Sequence, residues 1–334
     1  MATIYAVSRL AGVSLATVSR VINGNVRVKA ETRKKVEDAI KALDYHPNSA
    51  AKSLASNRSD SIGLLVSELH GPFFGGLMSV IEKDLREAGK HVIITAGHAN
   101  ARSEEKGIDF LINRNCDGLI LHCEDLSDLK LLQLSEKDVP LILVNRYVED
   151  LKDGCIDLDN REGGRLACQH LIDQGHRRIA CISGPKWKRD AMNRLKGHRG
   201  ALEQAGIPWQ PALCAEGTYR EESGYDCMLR LLDSGQPMTA VACGNDEMAV
   251  GAMKALRERG IQIPQDISVV GFDDVVFATL AVPPLTTVHF PVDDMGHLAA
   301  DLILSKCYGE ERDIGALRFK PRLVVRNSVA PPAA

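Results

Sequence analysis

Residues 3–24 read TIYAVSRLAGVSLATVSRVING. Thr3 is placed to cap a helix from Ile4 to Ala11, because its hydroxyl can accept one of the N–H groups that a helix start leaves unpaired. Gly12 follows in the turn, where positive φ is easily adopted. Ser14 then caps a second helix, Leu15–Asn23, which Gly24 ends. After a loop, Lys29–Leu43 reads as a third helix rich in Arg and Lys. Two short helices joined by a glycine-containing turn form a helix-turn-helix unit.

Within the second helix, Val18, Val21 and Ile22 share one face and should pack inward. Leu15, Ala16, Ser19, Arg20 and Asn23 are left to face outward. An exposed Leu-Ala pair at a helix start gains nothing in water, but it can meet thymine methyls in a major groove. Arg20 can reach guanine O6 and N7 or a phosphate, and Thr17, Ser19 and Asn23 can hydrogen-bond to bases or phosphates. The same pattern also suits a plain three-helix bundle whose Arg20 is solvated.

Charge supports the first reading. The 334 residues carry a formal net charge of −3, unevenly divided. Residues 1–60 hold ten Lys/Arg and five Asp/Glu, or +5, and the remainder holds 31 against 39, or −8. A small basic head on an acidic body is expected where one domain meets a polyanion. The length implies two or three domains, and 45% hydrophobic residues are enough for sizeable cores. No apolar stretch is long enough to span a membrane, and the N-terminus lacks the pattern of a secretory signal, so a cytoplasmic protein is expected. The nine cysteines lie in apolar runs with no C-x-x-C spacing, so buried thiols are expected, with neither disulfides nor a metal.

Residues 3–57 resemble the lac repressor (LacI/GalR) family of bacterial transcription regulators. The resemblance rests on A-G-V-S-x-A-T-V-S-R-V-I-N-G, then T-R-x-x-V, then Y-H-P-N-x-x-A-x-x-L-A. It implies that Thr3, Tyr5, Ser14, Leu15, Ala16, Thr17, Ser19, Arg20, Asn23, Asn48, Ala51 and Leu54 face DNA. Pro47 disfavours helix at His46, and Asn48 can cap the short helix SAAKSLAS, which is too short to persist alone in water. The resemblance makes this the hinge helix that orders on operator DNA. Leu54 is then the side chain that wedges into the minor groove, with Ala51 beside it.

From Ser61 onward, apolar runs alternate with amphipathic stretches, including Phe73–Ala88, Arg102–Asn113, Asn160–Gln174, Ala191–Ala205, Ser223–Ser234 and Asp246–Arg259. Repeated βα units in two series predict an all-α head followed by an α/β core of two doubly wound parallel-sheet lobes. Ligands of such sheets bind beyond the carboxyl ends of the strands. Ser67, Asn145, Arg146, Asp159, Asn245 and Asp273 fall there, with Arg194 on a following helix. Asn, Asp and Arg suit a ligand bearing several hydroxyls, and Phe73, Phe74 and Tyr219 could stack on it. Any single Asn or Asp could equally cap a helix.

The resemblance continues through H-G-P-F-F (70–74), V-N-R (144–146), G-H-x-R-I (175–179), N-R-L-x-G (193–197), N-D-x-M-A-x-G-A (245–252) and G-F-D-D (271–274). It implies a periplasmic-binding-protein-like core, nearest the galactose-repressor branch. Effector contacts are implied at Asn145, Arg194, Asn245, Asp273 and Tyr219, and less firmly at Ser67 and Leu158. By analogy, the domains are a head at 1–46, a hinge at 47–60 and a core at 61–330. The core lobes would comprise about 61–160 with 290–320, and 161–289 with 321–330.

The expected function is a homodimeric repressor of a pseudo-palindromic double-stranded operator, controlled by a small sugar-like effector. The alternative is a repressor that a purine or sugar phosphate activates. The ending NSVAPPAA has no heptad for a tetramer, so a dimer is expected. No cofactor, metal or membrane partner is expected. An enzyme is disfavoured because nucleotide-binding, nucleophile-elbow and metal motifs are missing. An exported binding protein is disfavoured by the basic head.

Overall fold

Helix α1 (Ile4–Ala11) begins where Thr3 Oγ1 accepts from the Ala6 N–H, and it stops at Gly12 with φ of 66°. Ser14 Oγ accepts from the Thr17 N–H at 3.2 Å and starts α2 (Leu15–Ile22). Helix α3 (Ala30–Ala42) is one residue shorter at each end than its pattern suggests, with Lys29 and Leu43 as its caps. Val7, Ala11, Val18, Val21, Val36 and Ala39 form the head's core, and Ile22 packs against it. This computed structural model describes residues 2–22, 28–46 and 58–333, which pack as two units, 1–60 and 61–334. Asn23, Asn48, Ala51, Leu54 and the hinge helix expected from the sequence lie outside the described residues.

Among its described residues, the second unit contains twelve strands. They are β1 (Ser61–Val66), β2 (His91–Ala96), β3 (Gly118–Leu121), β4 (Leu141–Val144), β5 (Cys155–Leu158) and β6 (Ile179–Ser183). Then come β7 (Cys214–Glu216), β8 (Ala240–Cys243), β9 (Ser268–Asp273), β10 (Thr286–His289), β11 (Arg318–Phe319) and β12 (Arg322–Val324). One sheet has the order β11-β5-β4-β3-β1-β2 and is wholly parallel. The other has the order β12-β10-β9-β8-β6-β7, with only β12 antiparallel. In both sheets the first strand lies between the second and the third. The order therefore reverses at β1/β3 and at β6/β8, and crevices open there at the carboxyl ends.

The helices are α4 (Pro72–Glu87), α5 (Ala101–Asn113), α6 (Asp128–Ser135), α7 (Asn160–Asp173) and α8 (Arg189–Gln204). They continue with α9 (Glu221–Asp233), α10 (Asp246–Glu258), α11 (Val276–Leu280) and α12 (Val292–Tyr308). The chain leaves the first sheet after β5, returns after β10 so that α12 packs on α4, and crosses again between β11 and β12. Gly164 of α7 and Gly197 of α8 bring these helices together, because a Cβ on either would collide with the other's backbone. One apolar cluster runs from Ile62 and Leu64 of the first lobe to Val270 and Phe272 of the second.

Candidate functional site

Between the lobes lies a cleft of about 690 Å³, open solvent at its mouth included. From the first lobe, Glu68, His70, Phe73 and Phe74 follow β1, His122 and Glu124 follow β3, and Asn145 follows β4. From the second come Lys188, Asp190, Arg194, Tyr219, Arg220, Asn245, Glu247 and Asp273. Both sets stand at the strand ends where the order reverses, or beside them.

A hydrogen-bonded chain joins the lobes beneath the cleft. Asn160 Nδ2 donates to Asn145 Oδ1 at 3.1 Å, Arg194 Nε donates to Asn160 Oδ1 at 2.9 Å, and Arg194 Nη1 reaches Asp273 Oδ1 at 3.3 Å. The Arg194 guanidinium lies 3.6 Å from the centre of the Phe272 ring, a cation–π contact in a buried setting. Burial works against its charge, yet Tyr219, Asp273 and Asp190 hold its pKa above the usual value. Burial also raises the Asp273 carboxyl to about 7, against the pull of Arg194. Asn145 and Tyr219 have φ of 57° and 69°, and Asp273 has 108°. Three non-glycine residues with left-handed backbone at one cleft are strain of the kind that collects at ligand sites.

The aromatic wall is built edge to face. Phe73 meets Phe74 at 5.2 Å and Phe290 at 4.8 Å, and Phe74 meets His122 at 5.2 Å. Burial lowers the His122 pKa, which favours a neutral ring beside Phe74. Asn245 also serves its helix: Oδ1 accepts from the Met248 N–H at 3.0 Å, and Nδ2 donates to Tyr219 O at 3.0 Å.

Phe73, Phe74, Asn145, Arg194, Tyr219, Asn245 and Asp273 therefore line the cleft, with Arg194 in the second turn of α8 rather than at its start. Four expected residues do not line it; the first, Asp159, instead caps α7 by accepting from the Glu162 N–H at 3.0 Å. Ser67 is buried behind the wall, with its hydroxyl 3.2 Å from His122 Nδ1. Leu158 is fully covered in the core. Arg146 points into its own lobe, donating to the carbonyls of Cys123, Glu124 and Leu126 and to Asp128. It supports the 123–128 loop, and buried Glu104 holds the same loop by accepting from the N–H groups of Glu124, Asp125 and Leu126. Trp187 is half exposed, while its neighbour Lys188 enters the cleft. The charged residues missed in sequence were Glu68, His70, Glu124, Lys188, Asp190, Arg220 and Glu247, together with the relay residue Asn160. His70 lies in a motif already noted, HGPFF.

On the separate head, Thr3, Tyr5, Ser14, Ala16 and Arg20 are exposed, and Leu15, Thr17 and Ser19 are partly covered.

Residues 3–48 match the model of bacterial regulatory proteins, lacI family, and residues 168–329 match that of a periplasmic binding protein-like domain. The galactose regulator GalR of Escherichia coli K12 is 39% identical over 335 residues, which is 100% of this chain and 97% of that protein. The ribose operon repressor of the same organism is 36% identical over 98% of this chain and 100% of its own length. Among solved structures, the lac repressor dimer bound to operator and the anti-inducer ONPF superposes with a TM-score of 0.88. That match has 32% identity and covers 98% of this chain and 99% of the other.

Proposed function

The chain belongs to the lacI family of bacterial regulatory proteins, and from that premise we propose how its two units divide the work of a transcriptional repressor that a sugar controls. Residues 1–46 form the operator-reading head, 47–60 the hinge and 61–330 the effector-binding core. Two copies read the halves of a pseudo-palindrome. Thr3, Tyr5, Ser14, Leu15, Ala16, Thr17, Ser19, Arg20 and Asn23 meet the major groove and its phosphates, and Asn48, Ala51 and Leu54 meet the minor groove. The protein works in the cytoplasm. No helix among the described residues is long and apolar enough to cross a membrane.

The effector is a neutral, hydroxyl-rich ring held by Asn145, Arg194, Asn245 and Asp273 against Phe73, Phe74 and Tyr219. The charge of the cleft carries this reading. Five carboxylates (Glu68, Glu124, Asp190, Glu247, Asp273) face three cations, and each cation already pairs with a carboxylate: Arg220 with Glu68, Lys188 with Glu124, and Arg194 with Asp273. A phosphate dianion entering would meet surplus negative charge at low dielectric, which is repulsive. A polyol exchanges its water hydrogen bonds for those of carboxylates and amides at no such cost. This disfavours the phosphorylated corepressor.

The test uses the full chain, with a duplex selected from a random library serving as operator in an anisotropy titration. Monosaccharides, sugar phosphates and purines are then added in turn. A neutral sugar should release the duplex and raise the melting temperature. If a phosphate or purine tightens DNA binding while no neutral sugar acts, the proposal fails.

A further inference from the structure

The reading above leaves all nine cysteines unused, and from sequence all were expected to be buried. Two are only partly covered, Cys214 and Cys307. Cys214 opens β7, the edge strand of the second sheet, and its register partner on β6 is Cys181. Register partners in a parallel pair project to the same face. Neighbouring strands lie about 4.8 Å apart, inside the roughly 4.4–6.8 Å between Cα atoms that a disulfide spans. The two thiols interact electrostatically with each other.

Their surroundings differ. Cys181 is buried, with Cys243 and Cys168 as further thiol neighbours. Cys214 faces Lys186 and Arg199, with Glu216 as the opposing charge. Cys181, helped by the two cations and opposed by burial, holds the Cys214 thiol below its usual pKa, whereas Cys181 is held well above. A partly exposed thiol near cations, in register with a buried thiol, is the pairing that reacts with peroxides and then resolves to a disulfide.

We propose that Cys214 and Cys181 form a peroxide-oxidisable dithiol, a modification site on the second lobe. The Cys214 thiolate attacks one oxygen of hydrogen peroxide, the O–O bond breaks, and the departing hydroxide takes a proton to become water. The sulfur of Cys181 then attacks the Cys214 sulfenic acid. The S–O bond breaks, and the hydroxyl leaves as a second water with the Cys181 proton. The two thiols lose two electrons in total, and one peroxide gains them.

The site is connected to the cleft. Glu216, two residues along β7, accepts from the Lys186 N–H at 3.0 Å and pairs with Lys186 Nζ. It thereby anchors the loop that carries Lys188 to the cleft. The disulfide ties that anchor strand to β6.

The test treats the full chain with a small molar excess of hydrogen peroxide, blocks remaining thiols with iodoacetamide, and maps peptides without reduction. The expected product is a 181–214 cross-linked peptide that dithiothreitol releases. Cys214→Ser should abolish it. Cys181→Ser should instead leave a sulfenic acid on Cys214 that dimedone traps, and Cys307→Ser should change nothing. Oxidation of Cys307 ahead of Cys214, over-oxidation of Cys214 without the cross-link, or an inert wild-type protein would each overturn the proposal. The wild-type map decides the matter even if a serine variant folds poorly.

Discussion

Lys188 Nζ of the second lobe stands 2.5 Å from Glu124 Oε2 of the first, with both side chains nearly covered. The pair has company. Arg189 reaches Asp128 at 2.9 Å, and Arg220 pairs with Glu68 and with His70. In each of the three ion pairs the cation is on the second lobe and the carboxylate on the first, so charge draws the lobes together. Glu104 and Arg146 fix the 123–128 loop that supplies two of these carboxylates.

Lys188→Met should therefore weaken the binding of a neutral sugar roughly tenfold or more, about 1.4 kcal/mol. The loss arises because the lobes close less completely and Glu124 is left buried without a counter-charge. Glu124→Gln in the same chain should restore part of the affinity by removing that charge. Titration calorimetry at two salt concentrations checks both, since the wild-type affinity should fall with salt more steeply than the double variant's.

Asp273 gives a pH signature. Its carboxyl ordinarily titrates at 3.8 and is raised by burial to about 7. Between those values the folded chain keeps a proton that the unfolded chain has released. The stability from this group is complete at the acid end and is lost as pH rises through about 7. The slope is at most about 1.4 kcal/mol per pH unit. Buried Asp246, also raised, adds in the same direction. Asp273→Asn should flatten the slope while weakening the response to sugar. Urea unfolding across this range reads the first effect, and operator release reads the second. A slope unchanged by the substitution would contradict the assignment.

Those two residues mark what the sequence could and could not yield. Asp273 was legible because it ends an apolar strand run, and a strand end in a parallel sheet is a ligand position whatever the partners are. Lys188 was not, because its role depends on which lobe lies opposite, and spacing along one strand carries no such information. Ser67 and Arg146 failed for a related reason: a polar residue after a strand can turn toward the cleft or into its own lobe, and only neighbouring loops decide. Helix α12 went unread because eight of its residues are buried, which blurs the apolar stripe that periodicity detects. By contrast, α1 and α2 are short, capped at Thr3 and Ser14 and one-faced, so local rules sufficed.

Arg20→Ala should cost about 1–3 kcal/mol of operator affinity if it contacts a guanine, and should relax preference at one base pair in each half-site. Leu54→Ala should weaken operator binding and leave sugar affinity intact. Wild-type affinity should fall steeply with salt, because phosphate contacts release counterions. Anisotropy titrations against the selected duplex and single-base variants distinguish these effects. A flat salt dependence would sink the DNA reading.

The dimer should depend on an apolar patch beside α11. Leu280 and Val282 are 71% and 72% exposed, and Val276 and Phe277 adjoin them. A groove between this segment and Val250, Met253 and Arg257 of α10 completes the surface. Such side chains gain roughly 25 cal/mol for each Å² removed from water, so a patch used twice by symmetry adds to itself. Leu280→Asp should place two carboxylates in that interface and shift the protein to monomers in sedimentation velocity, with its melting cooperativity kept. Operator affinity should drop far more than Arg20→Ala lowers it, because a monomer holds only one half-site. A dimer that survives both Leu280→Asp and Val282→Asp would place the interface elsewhere.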